Sequence, residues 1–220
     1  MKAIFGDFKP DIAEMDYDEY WLAKGKFGLS TRYPVFAALV EPGSSVLDIG
    51  CGDGATLSYL SRELAVKGEG IDVSAKAVAT AVSRGINARQ ADASSPGFAI
   101  DKNYDYILIS EVLEHIPSPE GLIRKVKGRF VKGLILSIPN TGHYLHRLRL
   151  LFGRFPVQWA HHPGEHLRFW TLRDFRAWLE WQGLSAADIR VHSGLPVLNR
   201  LFPSLFADSL VFLVKARGGG

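Results

Sequence analysis

Three glycines at alternate positions, Gly50, Gly52 and Gly54, close the stretch "LDIGCGDG" (47–54) directly after an apolar run. Glycine has no Cβ, so a turn built from it lets a ligand come close to the backbone. A dinucleotide turn is spaced G-x-G-x-x-G, with pyrophosphate seated on the N-terminus of the next helix. Here the spacing is G-x-G-x-G, and Asp53 stands where a phosphate would have to sit, so like charges repel. A nucleoside with a cationic end and no phosphate avoids that conflict, and Asp48 would welcome the cation. Asp72 in "GIDVS" and Asp92 in "QADAS" end two further apolar segments. An acid at the first can accept both ribose hydroxyls, and one at the second can accept from the adenine amino group. Any one of these acids could merely cap a strand end or a helix. Three at successive strand ends form a set.

S-adenosylmethionine meets these conditions, having a sulfonium, an ammonium and no phosphate. A second constellation, Glu111, Glu114 and His115 in "SEVLEHI", follows the fourth apolar segment. Offsets of three and four put all three on one face of a helical turn. Two like charges and an imidazole so crowded are either separated by solvent or held by a cation. Mixed carboxylate and imidazole ligands suit Zn²⁺, Fe²⁺ or Mn²⁺ better than Mg²⁺. His166 in "GEHLRFWT" is the candidate further ligand among the histidines of "AHHPGEH". The alternative needs no metal: the acids close the adenine pocket or cap the next helix, and a histidine serves as base where the acceptor requires one. His143 in "PNTGHY" is the first choice and His115 the second, so Glu111, His115 and His143 are the candidate catalytic residues. Cys51 reads as a small residue in the turn.

These groups need a sheet to position them. Buried strands are predicted at 45–50, 68–73, 86–91, 104–110 and 133–139. Helical patterns separate them: "TLSYLSREL", "AKAVATAVSRG" with Gly85 as C-cap, and "SPEGLIRKVKGRF" with Ser118 as N-cap and Pro119 at the first helical position. Such alternation predicts crossover units and a parallel sheet, which binds ligands at the carboxyl ends of its strands where their order reverses. A helix over "TLRDFRAWLEWQG", capped by Thr171 and ended by Gly183, precedes strands at 186–193 and 208–216. Residues 1–44, with Tyr17, Tyr20, Trp21, Phe27 and Tyr33, are expected to form a helical cap over the site. Residues 140–166 form a long insertion, of a kind that is often functional. Its segment 143–155 sets Leu145, Leu148, Leu151, Phe152 and Phe155 roughly on one stripe, with Arg147, Arg149 and Arg154 toward the other side. That pattern suits a lid packed on its own domain, a grip on a phosphorylated acceptor, or a segment lying on an anionic membrane surface. The stretch "VLNRLFPSLFADSLVFL" is expected to pack beneath it as core and final strand.

A chain of 220 residues suits one domain, divided into cap (1–44), cofactor-binding core (45–139), lid (140–166) and C-terminal helix and strands (167–217). Its 47% apolar and 22% charged residues are those of a soluble globular protein. No apolar run approaches the roughly 20 residues of a membrane helix, and the acidic N-terminus does not read as a secretory signal. The single cysteine cannot form an internal disulfide, which fits a cytoplasmic location. A net charge of +3 is too mild to argue nucleic-acid binding, and Lys125, Lys127, Arg129, Lys132 and Arg147 make no continuous basic groove.

The motifs "VLDIGCGDG", "GIDVS", "ADA" and "YDYILISEVLEHI" resemble those of class I S-adenosylmethionine-dependent methyltransferases over residues 32–180. The resemblance implies an α/β, Rossmann-like fold of seven strands, mostly parallel with the last inserted antiparallel. It places Asp48, Gly50, Cys51, Gly52, Asp72, Val73, Asp92, Ala93 and Ser110 around the cofactor. Arg32 in "STRYP" resembles an arginine that grips the cofactor carboxylate in quinone-pathway O-methyltransferases. The E-x-x-E-H pattern with a later histidine before "-x-F-W-T" is similar to small-RNA 2′-O-methyltransferases and ubiquinone-pathway O-methyltransferases. That likeness implies a divalent ion on Glu111, Glu114, His115 and His166, lowering the pKa of an acceptor hydroxyl. Residues 46–176 also resemble the methionine-biosynthesis MetW family, whose members are associated with activating a homoserine acyltransferase. The N-terminal cap and the intact E-x-x-E-H depart from that family and favour methyl transfer to a small molecule over a role confined to an acyltransferase partner.

Overall fold

The computed structural model describes residues 16–24, 30–158 and 165–217, and its seven strands form one sheet. They are β1 (Ser45–Ile49), β2 (Lys67–Asp72), β3 (Asn87–Gln90), β4 (Tyr104–Ser110), β5 (Phe130–Pro139), β6 (Leu184–Val191) and β7 (Ser209–Ala216). Their order is β3-β2-β1-β4-β5-β7-β6, with β7 antiparallel to both neighbours and the other pairs parallel. This is the α/β architecture anticipated above. The order reverses between β1 and β4, which opens a crevice at their carboxyl ends.

Side chains alternate across the strands, and both faces are apolar. Leu47, Ile49, Ile107, Ile109, Leu134 and Leu136 point to one face. There they meet α5 (Pro119–Val126) and α7 (Leu172–Trp181) through Leu122, Ile123, Phe175 and Leu179. Val46, Tyr106, Leu108 and Ile135 point to the other, against Phe36 of α2 (Arg32–Ala37) and Leu57 and Leu60 of α3 (Ala55–Leu64). Burying each such Leu, Ile or Phe contributes about 1.5–3 kcal/mol. A slip of one residue in β1 would exchange the two sets of side chains and carry Asp48 onto the face packed by α5 and α7. Asp48 has the parity of Val46 and is therefore directed toward the α2 side of the sheet.

The remaining helices are α1 (Tyr17–Lys24), α4 (Ala75–Ser83), α6 (Tyr144–Leu151), α8 (Leu198–Leu201) and α9 (Pro203–Phe206). Ser74 and Thr171 cap α4 and α7, accepting from the Ala77 N–H (3.1 Å) and the Asp174 N–H (3.3 Å). Pro119 starts α5 as the sequence indicates, but Ser118 makes no side-chain cap bond. None of the described helices is long and apolar enough to cross a membrane.

Two sequence expectations change. On α6 the stripe holds only in part: Leu145 and Leu148 are half-buried and Arg147 is exposed, but Arg149 is buried, Leu151 is 75% exposed, and Phe152 and Phe155 after the helix are exposed. The Arg149 Nε donates to the Phe155 carbonyl (2.9 Å), so the guanidinium holds the turn after the helix together instead of facing solvent. The stretch before β7 reaches the core only at Ala207. It forms α8 and α9, leaving Leu201 and Phe202 exposed, and only its last part enters the sheet. Phe27, His161 and His162 lie outside the described residues.

Candidate active site

The backbone leaves β1 through three left-handed glycines, with φ of +80° at Gly50, +54° at Gly52 and +75° at Gly54. Residues with a Cβ reach this region only at a cost. The Ile71 carbonyl of β2 accepts from the N–H groups of Gly50 (2.7 Å) and Cys51 (3.0 Å), pinning the turn to its neighbour. Asp72 completes the tie, accepting from the Gly52 N–H (2.8 Å) and the Ser74 N–H (2.9 Å). Burial raises its pKa, and those N–H groups work against the rise. Asp53 turns its carboxylate to Arg84 and accepts from the Ala55 N–H (3.2 Å). The chain's own anion thus takes the N-terminus of α3, the seat a pyrophosphate would use.

Asp48 is 2% exposed and its Oδ1 has no hydrogen-bond partner. Burial, and then the charge of Asp72, push its pKa up to about 7, with Arg32 opposing. A buried carboxylate so placed is stabilised by any cation brought to it. Arg32 donates to Ser30 Oγ (3.2 Å) and to Ser110 Oγ (3.3 Å), which ties α2 to the end of β4. The α1 helix covers the turn. A Cβ on Gly52 would lie 2.2 Å from the Trp21 ring, and Ser74 Oγ donates to Asp18 Oδ1 (2.5 Å). The phenols of Tyr17 and Tyr20 are both pushed up to about 12, by burial first and then by Glu114 for Tyr17 and Glu165 for Tyr20. Asp48, Asp72 and Glu114 are thus buried acids in this region, with the cation of Arg32 beside them.

Beyond β4 the chain bends at Glu111, whose φ of +53° is strained for a residue with a side chain. Its Oε1 accepts from Ser137 Oγ and Ser209 Oγ, both at 2.8 Å, which holds the carboxylate on β5 and β7. Glu114 lies in the short 3₁₀ turn Leu113–His115, is 0% exposed, and neither carboxyl oxygen has a hydrogen-bond partner. Burial and the charge of Glu111 push its pKa well up. His115 Nε2 stands 3.8 Å from Glu114 Oε1, and its Nδ1 bonds to the Glu165 carbonyl. The His166 ring lies 4.8 Å from the His115 ring, edge to face. Its Nδ1 is buried without a partner, and burial pushes its pKa down to about 4. One ligand atom from each of Glu114, His115 and His166 falls within 4.8 Å of the others. An unpartnered buried carboxylate between two imidazoles has the donor set of a divalent-cation site. Glu111 stands outside it, drawn away by the two serines.

The other anticipated residues divide. Val73 is exposed at the end of β2, Ala93 packs at the edge of the core, and Asp92 is exposed, its carboxylate accepting from Ser94 N–H (2.8 Å) and Oγ (2.6 Å). Cys51 is buried and its thiol pKa is pushed up by burial, so no thiolate forms near neutrality. His143 pairs through Nε2 with Asp208 Oδ1 (3.2 Å). Sequence reasoning missed Ser137, Ser209 and His192. All three fall in predicted strands; the carboxyl ends of β5 and β6 and the amino end of the antiparallel β7 share one rim, a pairing that the strand pattern alone does not record.

The family described as "Methionine biosynthesis protein MetW" matches residues 31–214. The chain belongs to the MetW family. A similar relative is the bifunctional methionine biosynthesis protein MetXA/MetW of Rhodopirellula baltica, 28% identical over 63% of this chain and 24% of its own length. The (S)-coclaurine N-methyltransferase of Thalictrum flavum is 33% identical over 48% of this chain and 31% of its own. A ubiquinone biosynthesis O-methyltransferase of Pseudomonas savastanoi is 34% identical over 37% of this chain and 38% of its own. This MetW-family chain thus spans about a quarter to two fifths of these relatives. Among solved structures, an S-adenosylmethionine-dependent methyltransferase from Archaeoglobus fulgidus is similar, with a TM-score of 0.66, 18% identity, and coverage of 90% of this chain and 99% of that one. The MetW-family chain has the fold of class I S-adenosylmethionine-dependent methyltransferases.

Proposed function

We propose that this MetW-family protein is an enzyme that moves a methyl group from S-adenosylmethionine to a hydroxyl oxygen of a small molecule in the cytoplasm. The observation that carries the reading is Asp48, a buried carboxylate at the glycine turn whose Oδ1 has no hydrogen-bond partner, where a nucleoside with a cationic end would offset its burial. The bound cofactor supplies an electrophilic methyl group on a positively charged sulfur. Asp72 and Asp92 would accept from the nucleoside, and Asp48 and Arg32 would orient the methionine end. The backbone at Gly50, Cys51 and Gly52, with Val73, Ala93 and Ser110, would line the rest. Trp21 over Gly52 would help exclude water. Holding the reacting atoms in line can supply about 7–11 kcal/mol of the barrier. Glu114, His115 and His166 would hold a divalent ion, whose chemistry is to polarise an acceptor hydroxyl. Glu111 would stay fixed on its serines as a negative wall of the acceptor side.

The test uses the purified protein, methyl-labelled S-adenosylmethionine and a panel of small phenols and catechols, with and without chelator. Label in an O-methyl product, reduced by chelation and restored by Mn²⁺, supports the reading. Absence of both cofactor binding and label transfer overturns it. A second reading has one specific observation in its favour, the relative in which MetW is fused to MetXA. Under it the chain binds and regulates an acyltransferase. Co-purification with that acyltransferase, a change in the acyltransferase rate and no label transfer would favour it.

A further inference from the structure

Among the described residues, three imidazoles keep a buried ring nitrogen with no hydrogen-bond partner: His146, His166 and His192. His166 belongs to the Glu114 group, and His146 lies beside His143 on α6. His192 is different. It follows Val191, the last residue of β6, and so stands on the same carboxyl rim as the ends of β4 and β5. Val191 pairs with Leu210 of the antiparallel β7, which brings His192 level with Ser209. Ser209 Oγ is one of the two donors that hold Glu111. On its other side the His192 Nδ1 lies 3.3 Å from Thr31 Oγ1, next to Arg32. The charges of Glu111, Arg32 and Asp208 all act on the ring, which burial keeps neutral. The imidazole is therefore held at Thr31, next to the arginine of the cofactor side, and within electrostatic reach of the glutamate of the acceptor side, with Nε2 unengaged.

We propose that His192 Nε2 takes the proton of the acceptor hydroxyl, with Thr31 Oγ1 accepting from Nδ1–H so that the lone pair stays on Nε2. The assignment rests on the methyl-transfer reading above. In the step, the acceptor O–H passes its proton to Nε2 and the oxygen forms a bond to the methyl carbon. The carbon–sulfur bond breaks, and its electron pair stays on sulfur, which becomes a neutral thioether. Nothing else is consumed. A buried ring nitrogen without a partner is costly to the free protein, and an acceptor hydroxyl is the group that would satisfy it.

The test compares wild type with His192→Gln and Thr31→Val, using catechol as the probe acceptor. Binding of S-adenosylhomocysteine is followed by calorimetry and folding by thermal melting. Loss of a general base reduces turnover about 100-fold to 10,000-fold. His192→Gln is expected to fall in that range with cofactor affinity and melting unchanged. Loss of one orienting hydrogen bond lowers rates about twofold to tenfold, the range expected of Thr31→Val. Nitrogen NMR should show His192 protonated on Nδ1 in the resting protein, and its Nε2 signal should move when catechol is added to the protein loaded with S-adenosylhomocysteine. An active wild type whose His192→Gln variant keeps its rate, or a ring protonated on Nε2, overturns the assignment alone. A wild type that methylates no hydroxyl overturns the methyl-transfer reading and the assignment with it.

Discussion

Replacing Asp48 by Asn should stabilise the free protein at alkaline pH while weakening its hold on the cofactor. The carboxyl is wholly buried, its Oδ1 has no partner, and its pKa is raised from 3.8 to about 7. A pKa raised on folding favours the folded state below the unfolded value. That advantage is lost as pH climbs through 3.8 toward about 7. At about 1.4 kcal/mol per tenfold change, ionised Asp48 costs the free protein about 4 kcal/mol above pH 7. An unpartnered Asn amide in the same place costs about 1–3 kcal/mol. The variant should therefore be about 1–3 kcal/mol more stable than wild type at pH 8, with the gap closing as pH falls and changing sign toward pH 4, where the acid is protonated and its ionisation cost is gone. Urea unfolding of both proteins at pH 4.5, 6 and 8 reads the difference directly. A variant less stable than wild type by the same margin at all three values would refute the electrostatic account of this residue.

Glu114→Gln removes the other unpartnered buried acid. Mn²⁺ at about 100 times its dissociation constant should stabilise wild type by about 2.7 kcal/mol and leave the variant's melting temperature unmoved; an equal shift in both would place the ion elsewhere. Gly52→Ala forces a Cβ against Trp21 at a φ of +54°. It should cost about 1–2 kcal/mol from the left-handed backbone alone and raise the dissociation constant for S-adenosylhomocysteine, measured by melting and calorimetry. Arg32→Ala should weaken S-adenosylhomocysteine roughly tenfold, as the loss of one charge-assisted contact implies, and leave adenosine, which has no carboxylate, unaffected.

The centre of the sheet was legible in the sequence because β1, β4 and β5 are buried apolar runs separated by helical patterns. Asp48 and Asp72 were legible for the same reason: each stands where an apolar strand stops, and a parallel sheet gathers those ends. What escaped was every arrangement set by a side chain distant in sequence. Glu111 leaves the Glu114–His115–His166 group because Ser209 reaches it from the far end of the chain. Arg84 neutralises Asp53 from the end of α4. His192 gains its place through the antiparallel pairing of β6 with β7. On α6, helical periodicity misplaced Arg149, which turns inward to donate to the Phe155 carbonyl, a demand that no apolar pattern records.

Calorimetry of the purified protein with S-adenosylmethionine, S-adenosylhomocysteine and NAD⁺ tests the central claim most directly. The glycine turn, the self-occupied N-terminus of α3 and the unpartnered Asp48 require binding of both sulfur nucleosides, the sulfonium included, and no heat from the dinucleotide. Binding of NAD⁺ with indifference to the sulfur nucleosides would contradict it.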